Sequence, residues 1–178
     1  MSYHDDSIQA LSTLVALLRG PRPTEGRVRI QKLVYLLKAY GLPGLERIRF
    51  AYHHYGPYSE QVAGALRNGV ASGLIHENTE VFDDEWQKFT YSLEETHTDA
   101  DYLKLSDAEL ARVEQLKRAT EAYHWRVLEL AATAAFLERQ AQLSRDQAIE
   151  RALGHKPACR AYAGDAKALL ATLDASLS

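Results

Sequence analysis

The spacing of apolar residues leaves helical period in only two short places, and this limits the fold more than any other feature of the sequence. Ile8, Leu11, Val15 and Leu18 recur at helical spacing, and Ile30, Leu33, Val34 and Leu37 recur at the i, i+3, i+4, i+7 spacing of one helix face. "RIRFAYHHY" at 47–55 alternates and is rich in β-favouring residues, so a short strand is expected there. Val62, Leu66 and Val70 restore the helical line. The segment "LIHENTEVFDDEWQKFTYSLEE" then alternates again, which predicts a β-hairpin whose tip is the acidic run Asp83, Asp84, Glu85. From about residue 100 onward the pattern is helical throughout. Such a chain can only be α+β and mostly α, with its few strands antiparallel and local.

Boundary residues sharpen the expected elements. A helix over 6–19 ends at "RGPRPTEG", where two prolines and two glycines cannot continue it. A second, over 27–40, stops at Gly41 and Pro43. Gly56-Pro57 is expected to close the strand and open a third helix at 58–72, either with Pro57 in its first turn or with Ser59 as its cap, and Gly73 ends it. "SDAE" at 106–109 and "SRDQ" at 144–147 are capping boxes. Leu110, Val113 and Leu116 give one apolar side. Trp125, Leu128, Ala131, Ala132, Ala135 and Phe136 cover well over one face and predict the central buried helix, at 123–140. A helix at 144–153, a break at "GHKP" and a last helix near 164–175 with Leu169, Leu170 and Leu173 complete the chain. The expected organisation is one domain over 1–178: a winged-helix-like unit over 1–98, and a helical bundle over 99–178 packed on it.

Composition bounds the function classes. The only cysteine is Cys159, so neither an internal disulfide nor a thiolate zinc site can form. The opening "MSYHDD" is acidic where a secretory signal is basic, and the longest apolar-rich stretch, "VLELAATAAFLE", is too short to span a bilayer. A cytoplasmic protein without membrane contact is expected. The net charge of −3 hides an asymmetry: residues 19–49 hold eight bases against two acids, and 76–109 hold eleven acids against two bases. Such polarity either steers a charged partner or pairs the two segments.

No catalytic pattern stands out. The chain has no HExxH, CxxC, GxSxG, GxxxxGK[ST] or GxGxxG. His53 and His54 are adjacent, and neighbours in a strand point to opposite faces, so one is expected to pack inward and the other outward rather than both to chelate an ion. Pro157 breaks any helix that would align His155 with Cys159. The expectation is therefore no enzyme, no cofactor and no metal; a metal-dependent hydrolase or nuclease around His53 or His54 is the remotest alternative.

A nucleic-acid reading has more to weigh. A recognition helix at 58–72 offers only Gln61, Arg67 and Asn68 to base edges, and its hairpin carries Glu80, Asp83, Asp84 and Glu85, which phosphates repel. The basic residues Arg27, Arg29 and Lys32 sit on the preceding helix instead. DNA binding through the 19–49 segment, with Arg27, Arg29, Lys32 and Arg67 as contacts, is the second reading; a fold of that lineage reused to bind protein is the first.

"RVRIQKLVYLLKAYGL" and "FAYHHYGPYSEQVAGAL" together resemble the YwgA-like proteins and, more distantly, the Panacea (SocA-type antitoxin) domain. Gln31, Lys32, Leu33 and Tyr35 match the first motif of those families; Tyr52, Tyr55, Gly56, Pro57, Tyr58 and Ser59 match the second, a strand ending in Tyr-Gly-Pro. A histidine pair stands where Panacea domains usually have Trp-Lys, which makes the YwgA-like branch the nearer one. The likeness implies a bacterial or archaeal, non-enzymatic protein-binding module, whose partner would be a toxin or a component of a phage-defence or toxin–antitoxin system. A homodimer is compatible with it. Partner-facing residues are then expected among Lys32, Tyr35, Tyr52, His53, His54, Tyr55 and Tyr58, with Gly56, Pro57 and Ser59 as the structural corner.

Overall fold

A computed structural model describes residues 3–82, 86–93 and 104–177. The expected hairpin tip at Asp83, Asp84 and Glu85 lies outside these residues, as does the whole stretch 94–103.

The fold is mostly helical. The helix α1 (Tyr3–Leu18) is followed by a two-residue strand, β1 (Thr24–Glu25), inside the Pro/Gly segment that sequence alone assigns to loop. Helix α2 (Arg27–Ala39) starts at Gly26, whose φ of +83° and N–H bond to the Phe89 carbonyl turn the chain out of the strand. It ends as expected, with Gly41 in the left-handed region.

The Gly-Pro corner differs from the expectation. Gly56-Pro57 does not open a helix. It belongs to β3 (Gly56–Tyr58), which pairs antiparallel with β2 (Ala51–His53) around the two-residue turn His54-Tyr55. Proline is accommodated because a three-residue strand on a two-stranded ribbon leaves its missing N–H facing no partner. Ser59 alone is the cap of α3 (Glu60–Ala71): its hydroxyl accepts from the Val62 N–H at 3.4 Å.

The second hairpin is the one the alternation predicts. Strands β4 (Ile75–Val81) and β5 (Gln87–Leu93) pair from Ile75↔Leu93 to Val81↔Gln87, and β1 adds to the far edge of β5, giving the order β1-β5-β4. Tyr91, fully buried, carries this sheet onto the helices.

Four helices follow: α4 (Asp107–Thr120), α5 (Trp125–Ala141), α6 (Arg145–His155) and α7 (Ala163–Leu177), with a 3-10 segment at Pro157–Tyr162. Both capping boxes form, at Ser106 and at Ser144. Helix α5 is central. Every residue from Val127 to Ala135 is buried, and it packs against α2, α6, α7 and β3. Its run of alanines lets those neighbours approach on all sides. One cluster of buried side chains runs from Leu14 of α1 through Val34 of α2 and Leu130 of α5 to Leu173 of α7. Among the described residues no helix is long and apolar enough to cross a membrane.

Candidate functional site

The two sequence motifs meet. Helix α2 buries every side chain from Ile30 to Leu37, including the polar Gln31 and Lys32, because α5 covers one flank and β3 the other. Gln31 serves Ser59 as a strand would: its Oε1 accepts from the Ser59 N–H at 2.9 Å and its Nε2 donates to the Ser59 carbonyl at 3.0 Å. Lys32 Nζ donates to the Pro57 carbonyl at 2.8 Å. Glutamine and lysine in one motif therefore hold the backbone of Pro57 and Ser59 in the other, satisfying polar groups that would otherwise be orphaned in the core.

A buried ion pair sits under the same corner. Lys156, just beyond α6, donates to Glu129 Oε1 of α5 at 2.6 Å and to the His54 carbonyl at 2.8 Å. Glu129 is 5% exposed and Lys156 6%. The Cys159 thiol lies 3.9 Å from Glu129 Oε2, and burial, then Glu129, pushes it above the ordinary thiol range. Gly56 fits against this helix because it lacks a side chain: its φ is +87°, and a Cβ would stand 2.2 Å from Thr133 Oγ1. Burial, reinforced by the Lys156 ammonium and opposed by Glu129, lowers Lys32 to about 7.

The sequence carries a local trace of this ion pair. Glu129 is the one charge inside "VLELAATAAF", and Lys156 lies in the break "GHKP".

Above these buried groups lies a pocket of about 500 Å³ between the first half of α2, the β2–β3 turn and α3. Its walls are mainly apolar, from Val28, Val62, Ala63, Leu66, Val70 and Ala71. Lys32 also lines it, and His53, His54, Tyr55, Tyr58 and Arg67 supply the other polar groups on the hairpin and α3 sides. At the remaining end Arg27 is already engaged. Its Nε donates to Tyr91 Oη at 2.7 Å, its Nη2 meets Glu77 at 3.1 Å, and its guanidinium lies 4.0 Å from the centre of the Phe89 ring.

The candidate residues divide. Tyr52, His53, His54 and Tyr55 are exposed and Tyr58 is half-buried, so the hairpin does present itself at the surface. Lys32 and Tyr35, expected to face a partner on the outside, are instead 2% and 4% exposed. Tyr35 packs edge-on against Phe50, 5.1 Å between ring centres, and burial raises it to about 12. The histidine pair also departs from expectation. Both rings are exposed and their centres are 5.0 Å apart, because strand alternation stops at His53 and His54 already belongs to the turn. Among the described residues no group of three or more His, Cys, Asp or Glu is arranged to hold a metal ion.

Three bases of the basic segment, Arg29, Lys32 and Lys38, are taken up inside the fold, while Arg19, Arg22, Arg27, Arg47 and Arg49 stay exposed. Arg29 donates to the carbonyls of Thr120 and Tyr123, at 2.8 and 3.0 Å, where α4 ends. Lys38 holds the Leu45 carbonyl at 2.8 Å and the Glu46 carbonyl at 2.6 Å. Arg22 pairs with Glu121 at 3.3 Å across a second, polar cavity of about 750 Å³ that is lined by both signs of charge. Of the residues proposed for nucleic acid, Arg27 and Arg67 are exposed, Arg27 paired with Glu77 at 3.1 Å and Arg67 3.9 Å from Glu60, while Arg29 and Lys32 are turned inward.

The chain is similar to YwgA. This "Uncharacterized protein YwgA" from Bacillus subtilis (strain 168) is 29% identical over 113 residues, which are 64% of this chain and 65% of that protein. The match thus spans less than two thirds of the relative's length. It supports the YwgA-like kinship read from the motifs. No family model matches the chain.

Proposed function

We propose that the chain is a non-catalytic protein-binding module that docks its partner in the pocket beside the tyrosine corner. One observation carries the reading: an apolar-walled pocket of about 500 Å³ whose hairpin and α3 side offers His53, His54, Tyr55 and Arg67. Its size is that of a specific binding pocket. An apolar side chain of the partner would bury against Val62, Ala63 and Leu66, and acidic neighbours on the same segment would meet Arg67 and the imidazoles. Exposed Tyr52 and Tyr55 add amphipathic rings of the kind enriched at interfaces.

Two further features support the same reading. The order helix, short strand, helix, two-stranded ribbon, helix, hairpin, with β1 against β5, favours a winged-helix-like lineage for residues 1–98. The Panacea resemblance adds a class of partner, a toxin or a phage-defence component. DNA binding has less support, since Arg27, Arg29 and Lys32 are committed to internal partners.

The test is capture from the native host with the tagged chain. Wild type and Arg151→Glu, a change on the exposed face of α6, are expected to recover the same stoichiometric partner, with Ala63→Trp and Arg67→Glu reducing it at least tenfold. Equal recovery by all four, or no stoichiometric partner at all, refutes the reading.

A further inference from the structure

We propose that the anchor this pocket selects is a chain terminus: an apolar C-terminal residue whose free carboxylate pairs with Lys32. The inference rests on the docking reading for its location and adds the chemistry of the anchor.

Lys32 is the group that calls for it. Its side chain is buried and lines the pocket, yet among the described residues its ammonium has one acceptor, the neutral Pro57 carbonyl, and no carboxylate within ion-pair distance. An ammonium has three donors, and its charge is held in an apolar interior only when it is paired; unpaired, the group tends to lose its proton. The internal carboxylate whose charge favours that of Lys32 is already taken: Glu129 on α5 belongs to Lys156, whose own positive charge opposes that of Lys32. The hairpin faces the pocket with imidazoles and phenols, and α3 contributes Arg67, so none of these supplies an anion. Glu77 of β4 does carry one, but it is engaged by Arg27 and by Tyr91, whose hydroxyl donates to it at 2.5 Å. The site thus offers a basic group deep in an apolar chamber, and an anion that would stabilise its charged form has to come from outside. A C-terminal leucine or phenylalanine brings the carboxylate and the apolar body in one residue, and pockets that capture carboxylate termini are a recurrent mode of peptide recognition.

The pairing has a signature beyond affinity. Burial holds Lys32 near 7 in the free chain. At pH 8 it is therefore mostly neutral, and pairing with a carboxylate makes it take up a proton, roughly 0.9 per site if the bound form is fully charged.

Titration calorimetry at pH 8 in two buffers of different ionisation enthalpy reads this directly. The probe is the acetylated peptide Glu-Glu-Ser-Ala-Leu with a free carboxylate, compared with its C-terminal amide and with octanoate. The acid peptide is expected to bind at least tenfold more tightly than the amide, with proton uptake. Lys32→Met abolishes the preference, and Lys32→Arg, which keeps a charge at every pH tested, retains the preference without the uptake. Equal binding of acid and amide, or binding without proton uptake, overturns the proposal. Octanoate binding as tightly as the peptide also overturns it and assigns the pocket to free apolar acids. If Ala63→Trp leaves partner capture intact while the peptide still shows its Lys32 dependence, the docking reading fails and this one stands. Pocket-dependent capture with acid and amide bound equally gives the reverse.

Discussion

Replacing Lys32 with methionine should change how stability depends on pH. Burial lowers the folded-state value of this lysine to about 7 from an ordinary 10.5. The unfolded chain therefore binds the additional proton throughout that interval, and stability rises with pH from about 7 to about 10.5. Below about 7 both states carry the charge and the full cost of burying it is present. Each pH unit is worth about 1.4 kcal/mol, so the stability difference between wild type and Lys32→Met should shift by about 2 kcal/mol in favour of wild type from pH 7 to pH 9. Losing the bond to the Pro57 carbonyl adds a penalty of about 1 kcal/mol that does not vary with pH. Urea unfolding of both proteins at pH 6, 7, 8 and 9 measures the difference, and histidines common to both cancel. The series stops at pH 9 because burial raises Cys159 and Tyr35. Above their ordinary ranges the unfolded chain loses those protons first and stability falls. A difference that stays constant from pH 6 to pH 9 would refute the argument that Lys32 is buried without a counter-charge.

Gly56→Ala should lower stability by more than about 2 kcal/mol, from a positive φ and a Cβ collision with Thr133; adding Thr133→Ala should recover only the collision part, as thermal unfolding of the single and double variants will tell. Glu129→Gln strands the Lys156 ammonium in the core and should cost about 3–5 kcal/mol by urea unfolding at pH 7. Arg29→Ala uncaps the Thr120 and Tyr123 carbonyls and should cost about 1–3 kcal/mol, with no change in duplex retardation at low salt; a lost gel shift from a still-folded variant would revive the nucleic-acid reading.

Long periodic segments announced themselves in the sequence. The helices with capping boxes at Ser106 and Ser144, the central position of α5 and the β4–β5 hairpin all follow from spacing and boundary chemistry, because each has enough residues for its period to register. The strand Gly56–Tyr58 did not, since three residues carry no period and Gly-Pro reads equally well as a helix entry. The same holds for Thr24–Glu25, which becomes a strand only because Tyr91 and Thr90 of β5 lie beside it.

The site was legible in its parts and not in its assembly. Motif matching singled out Gln31, Lys32 and the Tyr-Gly-Pro-Tyr corner, but whether Lys32 faces inward or outward depends on α5, about a hundred residues along the chain. A lysine on a helix is ordinarily solvated, and an arginine ordinarily exposed. Here backbone carbonyls of β3, of the end of α4 and of the loop after α2 receive Lys32, Arg29 and Lys38, which turns part of an apparent basic stripe into internal bracing. The Glu129–Lys156 pair joins residues 27 positions apart and spans two elements, beyond the reach of local pattern.

Amide hydrogen exchange on the chain alone and with its captured partner bears most directly on the claim that the pocket by the tyrosine corner is where this protein acts. Protection gathered in residues 53–71, the hairpin turn and α3, is the outcome expected. Protection confined to residues 19–25 and α4, with 53–71 unchanged, would contradict it.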